Sequence, residues 1–123
     1  MNEILVPMAP ADLIDRLIIL RLRSAQARGP AEQSNIVCQI ARLQDIADQT
    51  LPMNDALQAQ WDALRDVNAD LLVIEGDLRR FEGRADFGPA FVALVRAILV
   101  TRDDRKRIKM QINVLLGAAA VVC

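Results

Sequence analysis

The sequence predicts an all-α protein, either an antiparallel four-helix bundle or two long helical hairpins packed together. Four segments carry apolar residues at intervals of three and four, and proline or glycine separates them. An apolar fraction of 53% with 25% charged residues is typical of a globular chain. Because the joints are short, consecutive helices should be antiparallel neighbours. The length of 123 residues favours a single helical domain over residues 1–123.

The amino-terminal part contains a short β-prone run and two helical segments. Residues 3–6 are expected to form a strand that pairs, if at all, with residues 119–122, giving a minor β-ribbon from the two termini. A first helix is predicted from residue 12 to about 28, and Gly29 and Pro30 end it. A second is predicted from 32 to about 49. Apolar residues cover more than half of the first helix, so we expect neighbours on several of its sides.

Two longer helices are predicted in the remainder of the chain. The third runs from residue 54 or 55 to 82 and carries a coiled-coil-like seam of Leu64, Val67, Leu71, Ile74, Leu78 and Phe81. The fourth region spans 89–117, and a capping-box pattern that begins at Thr101 leaves one long helix, which we favour, or two with a bend. Helices of about 28 residues extend roughly 40 Å. Such helices expose much surface for the mass of the chain, so we expect a homodimer.

Composition narrows the classes of function. The chain has no His, and its two Cys cannot close a zinc site by themselves. The pairs Asp12/Asp15 and Asp45/Asp48 could hold Mg²⁺, but acids in first turns and on solvated faces are ordinary, so neither a metal site nor a cofactor is expected. The usual signatures for phosphate, dinucleotide, hydrolase and metal sites do not occur. The net charge is −1, and the basic run from Arg102 to Lys109 has no aromatic neighbours for base stacking. We therefore expect no binding to nucleic acid.

The same sequence bears on location. No apolar run reaches the roughly 18 residues of a membrane span. The first 15 residues carry no Lys or Arg, which a secretory signal needs at its start. Two free thiols suit a reducing compartment. We therefore expect a cytoplasmic protein with no membrane span.

Polar side chains stand on otherwise apolar helix faces and define a candidate site. Asp15 lies among apolar residues of the first helix, two candidates flank the seam of the third, and Arg105 interrupts the apolar stripe of the fourth. The full set is Asp15, Asn68, Glu75, Arg79, Arg105, Lys109 and Asn113. Buried charges must be paired and buried polar groups hydrogen-bonded. Three interpretations are open: a structural polar layer that fixes helix register, a site for an anionic or polar ligand, or simple solvent exposure.

Antiparallel packing of the third and fourth helices gives these residues expected partners. Positions equally far from the turn near residue 85 should face each other. Arg105 should then be at least half buried and bonded to Asn68 or to a nearby carboxylate such as Asp66. Glu75 should find its partner in Arg79 or in the first helix.

An ordered set of short motifs runs along nearly the whole chain. It consists of Glu3-Ile-Leu-Val-Pro7, Leu13 to Leu20, Val67-Asn68, Ile74-Glu75, Asp86-Phe-Gly88 with Phe91, and a Thr-x-Asp-x-Arg-x-x-Ile-Lys-x-x-Ile-Asn pattern over residues 101–113. In this order the chain resembles an uncharacterised bacterial family, classed as a domain of unknown function, whose members are often encoded near glycosyltransferase or surface-polysaccharide genes. It departs from that family at Leu99 and Arg102, which are usually Tyr and Asn, and in the tail after Gly117.

Two classes of function stay open, and the sequence leans against an enzyme without excluding one. The favoured hypothesis is a non-enzymatic helical interaction or assembly module with a second copy or another protein as partner. The resemblance implies that such a module is accessory to bacterial surface-polysaccharide biosynthesis. The alternative is a small helical ligand-binding protein or enzyme whose Arg and Lys residues hold an anionic metabolite, because positioning and electrostatics can catalyse reactions without His.

Overall fold

The computed structural model describes residues 2–117 as four α-helices joined by short turns. They are α1 (Pro10–Ser24), α2 (Pro30–Thr50), α3 (Asp55–Gly83) and α4 (Pro89–Leu115). The predicted all-α class and the order of the helices are confirmed. α4 is one continuous helix, because the Thr101 hydroxyl donates to the carbonyl of Ala97 one turn earlier and does not start a new helix.

The amino-terminal segment is not a strand. Residues 2–9 have no regular secondary structure, and Ile4 and Leu5 are largely exposed. The strand predicted at 3–6 is therefore wrong, and its predicted partner, 119–122, lies outside the described residues. Within residues 2–117 no neighbouring strand offers backbone groups for pairing. Glu3 instead forms an ion pair with Arg42 of α2.

The helix starts follow simple local chemistry. Proline stands in the first turn of α1, α2 and α4, where the missing N–H costs nothing. The side chain of Asn54 caps α3 by accepting a hydrogen bond from the backbone N–H of Leu57 at 2.9 Å. α1 ends at Ser24, earlier than predicted, and the chain turns into α2 through Gly29, whose φ of 112° suits glycine.

α1 is the central helix of the packing. α3 and α4 form an antiparallel hairpin, α1 contacts both of them, and α2 packs chiefly against α1. Ile14 and Ile18 of α1 belong to a core cluster with α3 and α4, whereas Leu13 and Leu17 pack toward α2. The expectation that this helix has neighbours on several sides is confirmed. Its apolar faces are covered within one chain.

The hairpin extends well beyond α1, and we call residues 76–97 the distal arm. Every residue of the distal arm is exposed or only half-buried, although the apolar seam continues into it through Leu78, Phe81, Phe91 and Leu94. The chain exposes 8666 Å² of surface, whereas a compact monomer of 13.6 kDa exposes about 6,600 Å². Two helices alone leave much of their apolar surface in water, and the excess area follows from this shape.

Candidate functional site

A buried carboxylate, Asp15 of α1, is the centre of a polar cluster that joins three helices. Asp15 is 5% exposed. The side-chain amide of Asn68 in α3 donates to Asp15 Oδ1 at 2.9 Å. Arg105 of α4 donates from Nε to the same oxygen at 3.2 Å and from Nη2 to Oδ2, which makes a bidentate ion pair. One side chain therefore ties α1 to both helices of the hairpin.

The protonation of Asp15 reflects a balance of two opposing effects. Burial by itself raises the pKa of a carboxyl group, because a charge is less stable away from water. The hydrogen bonds from Arg105 and Asn68, together with the positive charges of Arg105 and Lys109, outweigh burial and hold the pKa of Asp15 below its ordinary value. Asp15 is therefore ionised at neutral pH, as a partner of two cations should be.

Lys109 extends the cluster by one helical turn. Its Nζ lies 2.8 Å from Oδ1 of Asp12 and 3.6 Å from Oδ2 of Asp15. The Lys109 side chain is 23% exposed, whereas that of Asp12 is about half exposed. Lys109 thus interacts with carboxylates in the first two turns of α1. It neutralises the charge of Asp12, which lies in the first turn.

Asn113 caps α1 from a different helix. Its Oδ1 accepts a hydrogen bond from the backbone N–H of Ala11 at 3.0 Å. The residue that precedes α1, Ala9, has no side-chain group for this purpose. The first N–H groups of a helix need acceptors, and here the acceptor comes from 102 positions along the chain. Asn113 therefore fixes the start of α1 against the end of α4.

The burial predicted for Arg105 is confirmed, but its carboxylate comes from an unexpected helix. The Arg105 side chain is 31% exposed and its partner is Asp15 of α1. Asp66 is exposed and lies 3.6 Å from Arg65, while Asn68 reaches the same carboxylate from α3. The reason is that α1 packs against both α3 and α4 at this level, so Arg105 and Asn68 both donate to Asp15 of α1.

Glu75 and Arg79 lie outside the cluster. Glu75 lines a small cavity of about 160 Å³ together with Asn68 and Arg105, near the end of α1 where Arg23 stands. Arg79 is exposed on the distal arm. The cavity is smaller than typical ligand pockets, which measure roughly 300–1,000 Å³.

The geometry favours the structural interpretation of the polar cluster. An anionic ligand at Arg105 or Lys109 would have to displace a buried carboxylate that already neutralises both cations, which is costly. In the part of the chain that the structure describes, no three acidic or cysteine side chains are grouped so as to hold a metal ion. Within the same residues, no helix is long and apolar enough to cross a membrane.

A second candidate surface lies on the side of α4 that faces solvent. We define the outer face of α4 by the residues that share it, namely Val92, Arg96, Leu99, Val100, Asp103, Lys106, Arg107, Met110 and Val114. At 3.6 residues per turn they fall within an arc of about 120°. All of them are exposed. Large apolar side chains and charged ones thus alternate along nearly the whole helix.

The carboxyl-terminal half of this face borders an open groove between α3 and α4, which we call the alanine groove. It has a volume of about 810 Å³. Ala56 and Ala59 line it from α3, and Met110, Val114 and Leu115 line it from α4. The small alanine side chains leave room between the two helices, so the groove can receive larger side chains from outside.

The outer face was missed by the reading of the sequence, although a signal was present. Val92, Leu99 and Met110 stand at intervals of seven and eleven residues, which places them on one side of a helix. Two apolar stripes on one helix indicate a neighbour on each side. Residues 2–117 cover only the inner stripe of α4.

Comparisons with known proteins add no match to this description. Neither the family models, nor the curated proteins, nor the solved structures include one that is similar to the chain at a significant level. The resemblance in short motifs is neither supported nor opposed by this result, so the site geometry has to carry the functional proposal.

Proposed function

We propose that this protein is a non-enzymatic helical interaction module and that the α3–α4 hairpin is its docking arm. The observation that carries the proposal is the exposure of large apolar residues on the outer face of α4. Val92, Leu99, Val100, Met110 and Val114 are between 44% and 78% exposed. Large exposed apolar side chains grouped on one helix face, with charged residues among them, are typical of an interaction surface.

The polar cluster gives this arm a fixed base. Asp15, Asn68 and Arg105 join α1, α3 and α4 next to the core, before the hairpin leaves the body of the protein. A buried ion pair holds one register between helices, because any slip would leave a buried charge without its partner. The distal arm beyond this base has no buried residues of its own, so the polar cluster and the adjacent core set its direction.

The shape of the surface fits a helical partner. The alanine groove lies between two antiparallel helices, and an amphipathic helix can lay an apolar stripe into such a groove. Asp103, Lys106 and Arg107 stand along the same lining. They would select partners with charges of opposite sign at matching positions.

The alternative, an Arg/Lys site for an anionic metabolite, has weaker support. The two cations that it requires, Arg105 and Lys109, are already paired with carboxylates. The adjacent cavity of about 160 Å³ is small for a metabolite.

The wider role that we propose is accessory to bacterial surface-polysaccharide biosynthesis in the cytoplasm, and only the family resemblance supports it. Deletion of the gene should then change the amount or chain length of the surface polysaccharide. Complementation with a Leu99→Glu variant should fail, whereas complementation with the wild-type gene should succeed.

Site-specific photo-cross-linking in the cells of origin tests the docking arm. A photo-reactive amino acid at Val100, on the outer face, should give a discrete cross-linked product with a second copy or with another protein. The same amino acid at Gln49, an exposed residue of α2, is the matched control. Leu99→Glu should remove the product at Val100. If the yield at Val100 does not exceed that at Gln49, the outer face is not an interaction surface.

A further inference from the structure

We infer that the outer face of α4 pairs with the same face of a second copy, in antiparallel orientation about a two-fold axis. The inference rests on the proposed function, since it names the partner of the docking arm. Its starting point is that the two halves of the face have complementary shapes. The half near Met110 borders the alanine groove, whereas the half near Leu99 and Val100 projects exposed apolar side chains.

Antiparallel pairing brings each half against its complement. Leu99 of one copy then enters the groove of the other beside Met110, and the symmetric contact forms at the opposite end. Val114 lies between Val92 and Arg96 of the second copy. A two-fold axis is the commonest symmetry of protein dimers, and it requires this kind of self-complementary surface.

The charges along the face and the position of the groove together select the register. If the axis passed through Asp103, the two Asp103 carboxylates would face each other. If it passed between Lys106 and Arg107, four cations would meet. With the axis between Asp104 and Arg105, Asp103 of each copy faces Lys106 of the other, and Leu99 faces Met110. An axis between Leu99 and Val100 also pairs opposite charges, Arg96 with Asp103, but it leaves the alanine groove unfilled.

The available area suits a weak dimer. From Val92 to Val114 the face is about 33 Å long at 1.5 Å per residue, and one helix is about 10–12 Å wide, giving a footprint of about 330–400 Å² on α4. The α3 side of the alanine groove, at Ala56 and Ala59, adds to this area. Stable interfaces bury about 800 Å² per partner, so we expect the dimer to dissociate at low concentration.

Charge reversal tests both the partner and the register. Sedimentation of the full chain at roughly 50 µM should show a dimer of about 27 kDa, twice the 13.6 kDa of one chain. Asp103→Lys and Lys106→Asp should each weaken dimerisation at least tenfold, because each places like charges opposite one another twice. The double variant should recover most of the affinity. Asp45→Lys, at an exposed site on α2, is the control and should leave the dimer unchanged.

Cysteine cross-linking gives an independent test of the register. In a background with Cys38→Ser and Cys123→Ser, a mixture of Leu99→Cys and Met110→Cys chains should form a disulfide between the two variants. Met110→Cys alone should not form a disulfide. The two copies of this position lie about 16 Å apart along the helix axis, and a disulfide needs Cα atoms within about 7 Å. At dilutions where every variant is monomeric, all four charge variants should keep the wild-type melting curve, since the altered residues are exposed.

The outcomes separate this inference from the proposed function. A monomer at this concentration, or a disulfide in Met110→Cys alone, overturns the antiparallel dimer. Failure of the double charge variant to recover affinity overturns the register. A product between Val100 and a different protein, together with a monomer in sedimentation, would leave the interaction module standing and remove the second copy as its partner.

Discussion

Replacing Arg105 with Ala should leave the buried carboxylate of Asp15 without its bidentate cationic partner. The Asp15 side chain is 7% exposed and that of Arg105 is 31% exposed, so the pair is largely shielded from water. Removing one member of such a pair typically costs about 3–5 kcal/mol. The lower end applies here, because Lys109 Nζ remains 3.6 Å from Asp15 and Arg105 itself is partly solvated.

The matched control is Arg107→Ala, two residues further along the same helix. The Arg107 side chain is 65% exposed and its partner, Asp104, lies 3.3 Å away on the same helix. Such surface pairs contribute at most about 0.5 kcal/mol. In thermal unfolding, about 4 °C of melting temperature corresponds to 1 kcal/mol for a chain of this size. Arg105→Ala should therefore lower the melting temperature by about 12 °C, and Arg107→Ala by no more than about 2 °C.

A double-mutant cycle separates the ion pair from the packing of the long Arg side chain. If the pair is coupled, the double variant Asp15→Ala with Arg105→Ala should be more stable than the sum of the single losses indicates, by more than about 1 kcal/mol. Similar small losses for Arg105→Ala and Arg107→Ala would show that Arg105 is a solvated surface charge. Strict additivity would show that Asp15 does not depend on it.

Further predictions concern the cap, the pH dependence, the tip of the hairpin and the alternative function. Asn113→Ala should cost about 1 kcal/mol by removing the cap of α1, whereas Gln111→Ala, at an exposed site, should change the melting temperature little. Because the folded pKa of Asp15 lies below its ordinary value, the stabilising effect of the ionised carboxylate is complete above about pH 4 and is lost as the pH falls further. The difference in urea stability between wild type and Asp15→Asn should therefore shrink as the pH falls below about 4. Ala85→Gly should raise the melting temperature by a few degrees, since Ala85 has a φ of 52°, which is costly for any residue with a Cβ. A screen of anionic metabolites should give no rise in melting temperature, and a dose-dependent rise that Arg105→Ala abolishes would favour the ligand-binding alternative.

The helices themselves were determined locally and could be predicted. Apolar periodicity, proline in first turns and the cap at Asn54 depend on residues within a few positions of each other. α4 is one helix, as favoured, for an equally local reason, because the Thr101 hydroxyl bonds to the preceding turn. The strand at 3–6 was wrong because a strand needs a partner, and β-propensity in a short run does not provide one.

The polar candidates were also recognisable one helix at a time. A charged residue on an apolar face must have a partner, and this reasoning selected Asp15, Asn68, Arg105 and Lys109, which the structure brings together. Arg79 was selected for a different reason, as the expected partner of Glu75, and it is exposed. Periodicity gives the direction of a side chain from its own helix axis, but Arg79 lies beyond the end of α1, where no helix covers that direction.

Tertiary structure alone decided the partners. Asp15 and Arg105 are 90 positions apart, and Ala11 and Asn113 are 102 apart, so no local pattern connects them. Counting residues from the turn between α3 and α4 placed Arg105 at the level of Asn68, but it could not show that α1 packs against both helices there. The sequence by itself determined which surfaces are apolar. The packing of the whole chain decides which apolar stripe another helix covers. Ile108 and Ile112 are covered and belong to the core, whereas Leu99 and Met110 stay exposed to water.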